Sequence, residues 1–314
     1  MRIFLVFELL CYLGAFIVAS ESFTRTNKER WTFLFLFMIS RPFYIAIFFG
    51  QITPLAFFLL LLMIRLYLRG RKIATGILLA SVFLIKIPPG LLFLYFLKKK
   101  EYKTVIAGIF TYIAAWMLSL AVFGLQLHID WFNYVIKLNV GTALLGYNNQ
   151  TIFAFLLRHF KDYNAFNWYP IPFETIGYCF VVAAIIGVIA WLLKLMSSST
   201  SNSNNISIEL SMMICLFLMV FPLVWDHYYL FLIFPYFILI RNYRMHSSRG
   251  QWLLFWLSFF MVNPPVAVFY TPDTPNKFLN VSLMSSLLLG CLLLLILLGK
   301  QLRREPLGLQ TQIA

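Results

Sequence analysis

Residues 220–234 read VFPLVWDHYYLFLIF and set Asp226 beside His227 between two apolar runs. A carboxylate next to an imidazole can move a proton or orient a reacting group. It can equally cap a turn. Lys86, in LIKIPPG, follows a long apolar stretch and stands just before a double proline. A lysine there can snorkel to an interface. Ionisable groups at membrane depth are nonetheless functional candidates by default, and a fixed cation suits the phosphate of an anionic lipid. Arg41, after FLFMIS, is similarly placed. Two further polar motifs are Gly50-Gln51 in FFGQITP and Asn148-Asn149-Gln150 in GYNNQT. Taken singly, the first is a hairpin turn and the second is loop polarity. Asn149, like Asn205 and Asn280, also opens a glycosylation sequon, a match too common to carry weight.

The 314-residue chain that must position these groups is 61% hydrophobic and 11% charged, with mean hydropathy +0.84. A soluble domain carries about 25% charged residues. So much apolar surface cannot be buried in one soluble core, which makes this an integral membrane protein. The alternating strands of an outer-membrane barrel are absent, so the expected fold is all-α and polytopic. The net charge of +14 comes from Lys and Arg in short clusters between apolar runs. That is the positive-inside pattern, not a nucleic-acid face. Cys11, Cys179, Cys215 and Cys291 lie within apolar runs and form no CxxC pair, so neither metal nor disulfide is expected, and no cofactor.

Eleven apolar segments fall at about 3–20, 31–49, 52–68, 73–86, 90–97, 104–123, 175–195, 210–224, 228–240, 251–269 and 280–299. The first lacks a clear cleavage site and reads as a retained helix. A full span needs about 20 residues. The short pairs 73–86/90–97 and 210–224/228–240 therefore read as hairpins or broken helices inside a single transmembrane domain, 1–314. Placing 21–30 in the cytoplasm and alternating puts 18 of the 25 basic residues inside. Arg2, Arg41, Lys86, Lys137, Arg158, Lys161 and Lys277 are left over. In this orientation 124–174 is an extracytoplasmic loop region with a short interfacial helix at 151–160. The Ser/Asn-rich 197–209 is a flexible cytoplasmic linker. The four polar motifs, at 48–54, 84–90, 146–151 and 224–229, then share the outer face, which describes a site.

From Arg41 to about Phe160 the chain resembles the polyprenol-phosphate-mannose-dependent glycosyltransferases of family 87, in the GT-C superfamily. The resemblance rests on the order of a Gly-Gln turn, an apolar helix, a basic loop, the Lys-x-x-Pro turn of KIPPG, and NNQTIFAFLLRHF (148–160). VWDHYY looks like the family's later Trp-x-His-Tyr turn. The resemblance implies transfer of a hexose, commonly mannose, from a polyprenyl-phosphate carrier to a glycan or glycolipid acceptor outside the cytoplasm. It places the protein in the lipid bilayer, and the bacterial cytoplasmic membrane is the expected one. It makes Arg41, Gln51, Lys86, Asn148, Asn149, Gln150 and His227 the expected substrate-binding residues. His227 would donate a hydrogen bond to the carrier phosphate or relay a proton. Asp226 would orient His227 or the sugar.

The family pattern also implies a catalytic carboxylate in a first outer loop, and here no acidic outer loop precedes MRIFLVFELL. The chain is therefore expected to be N-terminally truncated or degenerate. Of Asp130, Asp162, Glu174, Asp226 and Asp273, only Asp226 belongs to a motif, which makes it the candidate catalytic residue. A transporter or lipid flippase using the same cavity is the alternative. It should show an internal repeat, and none is visible.

Overall fold

The structure is a computed structural model and describes residues 2–139, 142–160, 165–166, 169–172, 175–197, 203–246, 248–264 and 276–304. The first third comprises α1 (Arg2–Ser22), α2 (Asn27–Met38), α3 (Arg41–Phe48), α4 (Thr53–Leu68) and α5 (Lys72–Ile85). A 3₁₀ turn, Pro88–Leu91, leads into α6 (Leu92–Lys98) and the long α7 (Tyr102–Asn139). Then come α8 (Ile152–Phe160), α9 (Thr175–Ser197) and α10 (Ser203–Val220). A second 3₁₀ segment, Asp226–Leu232, precedes α11 (Ile233–His246), α12 (Arg249–Val262), α13 (Lys277–Met284) and α14 (Ser286–Arg304). Two short strands pair antiparallel: β1 (Thr142–Ala143) and β2 (Ile171–Pro172), with Thr142 opposite Pro172. The fold is that of an all-α polytopic membrane protein.

At the centre stands α10, buried from Ser207 to Val220. A helix apolar on every side belongs in an interior. Phe217 meets Phe231 edge-on at 5.5 Å, and Phe231 meets Phe57 of α4 at 6.1 Å. Phe33 of α2 packs on Phe237 of α11 at 5.3 Å. The N-terminal part of α10 is tied by charge. Glu209 accepts from Lys99 Nζ at 2.7 Å and from the Tyr95 hydroxyl at 2.9 Å.

Both short pairs are broken helices, for reasons visible in the sequence. After α5, Lys86 is extended (φ −142, ψ 117), and Pro88 and Pro89 have no N–H with which to continue the ladder. The 3₁₀ segment from Asp226 runs seven residues. Such segments rarely exceed three or four residues, and they often mark functional sites.

Elsewhere the structure departs from the sequence reading. The run 31–49 is not one helix: α2 and α3 meet at 53°, because Pro42 cannot donate back to α2. The run 280–299 is divided at Ser285 between α13 and α14, and α12 ends at Val262. The region 124–174 is not loop at its start. After Gly124 (φ 77, ψ 163) helix resumes to Asn139. Gln126 Nε2 donates to Asp130 Oδ1 across one turn, and His128 bridges the Gly124 carbonyl (2.7 Å) and the Ser119 hydroxyl (2.9 Å). Only glycine takes that φ without strain. Unbroken, the 35 residues from Tyr102 to Ile136 would reach about 52 Å, against a hydrocarbon core of about 30 Å. The linker 197–209 is helical from Ser203, with Asn205, Ser207 and Glu209 buried, and 198–202 lie outside the described residues.

Among the described residues four helices are long and apolar enough to cross a membrane, or five if α2 and α3 count as one bent span. The charge bias predicts their direction. In a background lacking the four native cysteines, Tyr169→Cys should react with an impermeant maleimide on intact cells, and Arg69→Cys only after lysis. Labelling of Arg69→Cys on intact cells would reverse the orientation.

Candidate functional site

Three polar turns converge on the 3₁₀ segment that begins at Asp226. Asn149 forms a β-bridge with Trp225. Its side chain is fully engaged: Nδ2 donates to the Leu144 (2.8 Å) and Pro222 (3.0 Å) carbonyls, and Oδ1 accepts from Val224 N at 3.2 Å. Gln150 Nε2 donates to the carbonyls of Tyr147 and Met284, both at 2.7 Å. Its backbone donates to the Val224 carbonyl and accepts from the Tyr229 hydroxyl. These two amides clamp the 144–150 loop to the 222–229 turn and to the end of α13. Irregular backbone persists at membrane depth only where protein or a water-lined cavity satisfies it.

The clamp leaves chosen polar atoms unengaged. Asn148 Oδ1, Gln150 Oε1 and His227 Nε2 are buried without hydrogen-bond partners. Around the 3₁₀ turn these groups divide between two flanks. On one, Lys86 Nζ lies 4.2 Å from the centre of the Tyr228 ring, and the rings of Tyr228 and His227 are 5.0 Å apart. Lys86 is 9% exposed, and no carboxylate among the described residues lies within ion-pair distance of it. Burial, aided by the Lys86 charge, lowers the pKa of His227 to about 3, so this imidazole is neutral at physiological pH.

On the other flank a small cavity is lined by Arg41, Tyr147, Asn148, Gln150, Asp226 and Ser286, among others. Asp226 Oδ1 accepts from His227 N at 3.0 Å. Burial raises the Asp226 pKa, opposed by the Arg41 charge and by backbone N–H donors. Arg41 and Pro264 also line an open groove of about 530 Å³, whose wall is otherwise Ile39, Tyr44, Ile45, Phe48 and Asn263. The start of α3 is pinned there, because Arg41 N donates to Asn263 Oδ1 at 2.9 Å.

The expected site residues therefore fall into distinct places. Lys86 and His227 share one flank, and Arg41, Asp226, Asn148 and Gln150 share the other. Asn149 is spent within the clamp. Gln51 lines neither cavity; its turn is closed by Gly50 at φ 57. Asp226 and His227, expected at a shallow outward turn, are 8% and 6% exposed. Of the other carboxylates, Asp130 pairs with Gln126 on α7, and Asp162, Glu174 and Asp273 lie outside the described residues. Sequence reasoning passed over Tyr147, Tyr228 and Arg158. The two tyrosines stand inside GYNNQT and WDHYY, and Arg158 was a cation out of place in the charge pattern.

Comparison with curated proteins and with solved structures yields no match. The model of glycosyltransferase family 87 matches residues 1–222, which includes α1 through α10 and the turns bearing Arg41, Lys86 and Asn148–Gln150. The match covers well over half of the chain, and the protein belongs to glycosyltransferase family 87.

Proposed function

We propose that this membrane glycosyltransferase takes a hexose, mannose in the first instance, from a polyprenyl-phosphate carrier by GT-C-type chemistry. It delivers the sugar to a glycan or glycolipid acceptor at the extracytoplasmic face of a bacterial cytoplasmic membrane. The observation that carries this reading is Lys86: a buried ammonium with an aromatic face and a neutral imidazole beside it, and no carboxylate among the described residues to balance it. Breaking a span to hold an unbalanced cation is destabilising unless an anion completes the site. A phosphate does so, with Lys86 as the charge and His227 Nε2–H as a donor. Arg41 supplies a second cation beside the sugar. The small cavity beside it, about 20 Å³, admits a single hydroxyl of the sugar, for which Asn148 Oδ1 and Gln150 Oε1 are the acceptors.

On the opposite flank of the same turn, Asp226 serves as general base. Its carboxylate takes the proton of the acceptor hydroxyl as that oxygen attacks C1. The C1–O bond to phosphate breaks, and the electron pair leaves on the carrier. The anomeric centre inverts, because attack and departure lie on opposite faces. A raised pKa brings Asp226 nearer the working pH, where a base is most effective.

Lys86→Met should weaken binding of a polyprenyl-phosphate-hexose about ten- to a hundredfold, the worth of one charge-assisted contact of about 1.5–3 kcal/mol. Lys86→Arg should retain most of it. Equal binding by the Met variant would reduce Lys86 to a snorkelling side chain.

Asp226→Asn should keep carrier binding and lose transfer by about 10²–10⁴-fold, the usual worth of a general base. Wild-type transfer should fall toward acid at a higher pH than an ordinary carboxylate would set. Full turnover by the Asn variant would move the base elsewhere.

A further inference from the structure

We infer that Arg158 is a positioning residue of this site, acting through the loop that carries Asn148; the inference rests on the function proposed above. Arg158 is fully buried on α8, on the face shared with Phe153, Ala154 and Leu157. Its guanidinium gathers three carbonyls of one loop. Nε donates to Leu145 at 3.1 Å, and Nη2 donates to Gly146 at 2.5 Å and Asn149 at 2.7 Å. Nη1 donates to the Ser285 hydroxyl at 3.1 Å, at the break between α13 and α14.

These four contacts come from both edges of one rigid plane. Arginine presents five donors in a fixed fork, whereas lysine offers a single point charge. The loop 145–149 belongs to no helix or strand; the Gly146 carbonyl also accepts from Asn149 N, but without Arg158 the carbonyls of Leu145 and Asn149 would be left unsatisfied beside the apolar core. By drawing Leu145, Gly146 and Asn149 to one centre, Arg158 sets the curvature of the loop between them. Asn148 lies on that curve and lines the Arg41–Asp226 cavity, with its Oδ1 unengaged. Gln150 follows, anchored at Met284 next to Ser285. Arg158 therefore holds the sugar-facing wall in register with α13–α14 while touching no substrate itself.

The test is Arg158→Lys, which keeps the charge and removes the fork. Hydrogen–deuterium exchange on the full chain should show the amides of Tyr147, Asn149 and Gln150, protected by Ala165, Gly146 and Val224, exchanging about tenfold faster or more. Amides of α10 should be unchanged. Unaltered exchange in 145–150, or equal acceleration throughout the protein, would overturn the inference. Should Arg158→Lys fail to fold, Ser285→Ala removes one of the four contacts and should produce a smaller acceleration in the same amides. Unaltered exchange there would likewise count against it.

A second arm reads the coupling. Arg158→Lys should weaken binding of a polyprenyl-phosphate-hexose in the wild-type background but leave it nearly unchanged once Asn148→Ala is present, because both act on one wall. Equal losses in the two backgrounds would show that Arg158 does not act through Asn148. A wild-type chain that binds no such carrier would refute the proposed function, and the exchange arm would still decide whether Arg158 positions the loop.

Discussion

A helix interrupted at membrane depth leaves amides and carbonyls without partners, and every feature of this site follows from how that debt is met. The chain breaks at Ser40–Arg41, at Lys86–Pro88 and again before Asp226. Each break needs donors or acceptors from elsewhere. Asn149 and Gln150 supply them to the 222–224 and 284 carbonyls, Arg158 to the 145–149 loop, and Asn263 to the start of α3. Remove these side chains and the turns have no reason to meet. With them in place, Asn148 Oδ1, Gln150 Oε1 and His227 Nε2 are left unengaged around the Asp226 turn.

Electrostatics then separates the two ends of the bundle. Three cations at the basic loops are paired: Arg65 with Glu21 at 2.8 Å, Lys72 with Glu101 at 2.6 Å, Lys99 with Glu209 at 2.7 Å. Paired charges on that side staple α1 to α4, α5 to the start of α7, and α6 to α10. Neither Arg41 nor Lys86 has a carboxylate within ion-pair distance among the described residues. The Arg41 charge acts on the Asp226 carboxyl across the small cavity. These anchoring charges are thus satisfied internally, whereas the two site cations have no such ion pair among the described residues.

Much of this was legible in the sequence, and what was not has physical causes. Pro88-Pro89 announces its break, because proline lacks the N–H that a helix needs. Pro42 has the same chemistry but sits in an apolar run long enough to read as one span. The helix after Gly124 hid because Gln126, His128 and Asp130 alternate with apolar residues, a pattern that reads as irregular. Their contacts are in fact one-turn and across-kink bonds. The NNQ motif was visible as a motif, yet the direction of each side chain was not. Asn149 turns into the protein and Asn148 toward the cavity, a choice that local sequence does not encode. Arg158 was invisible in its role because its acceptors are mainly backbone carbonyls, which no residue type advertises.

The central claim is that the broken helices exist to seat a lipid-linked phosphate at Lys86 and His227. The most direct test is an experimental structure of the chain in a lipid nanodisc with a polyprenyl phosphate bound. The account predicts phosphate oxygens within hydrogen-bond distance of Lys86 Nζ and His227 Nε2, with the Asn149 and Gln150 amides still on their backbone carbonyls. A phosphate seated away from Lys86, or bound to the Asn149 amide after the clamp has opened, would contradict it.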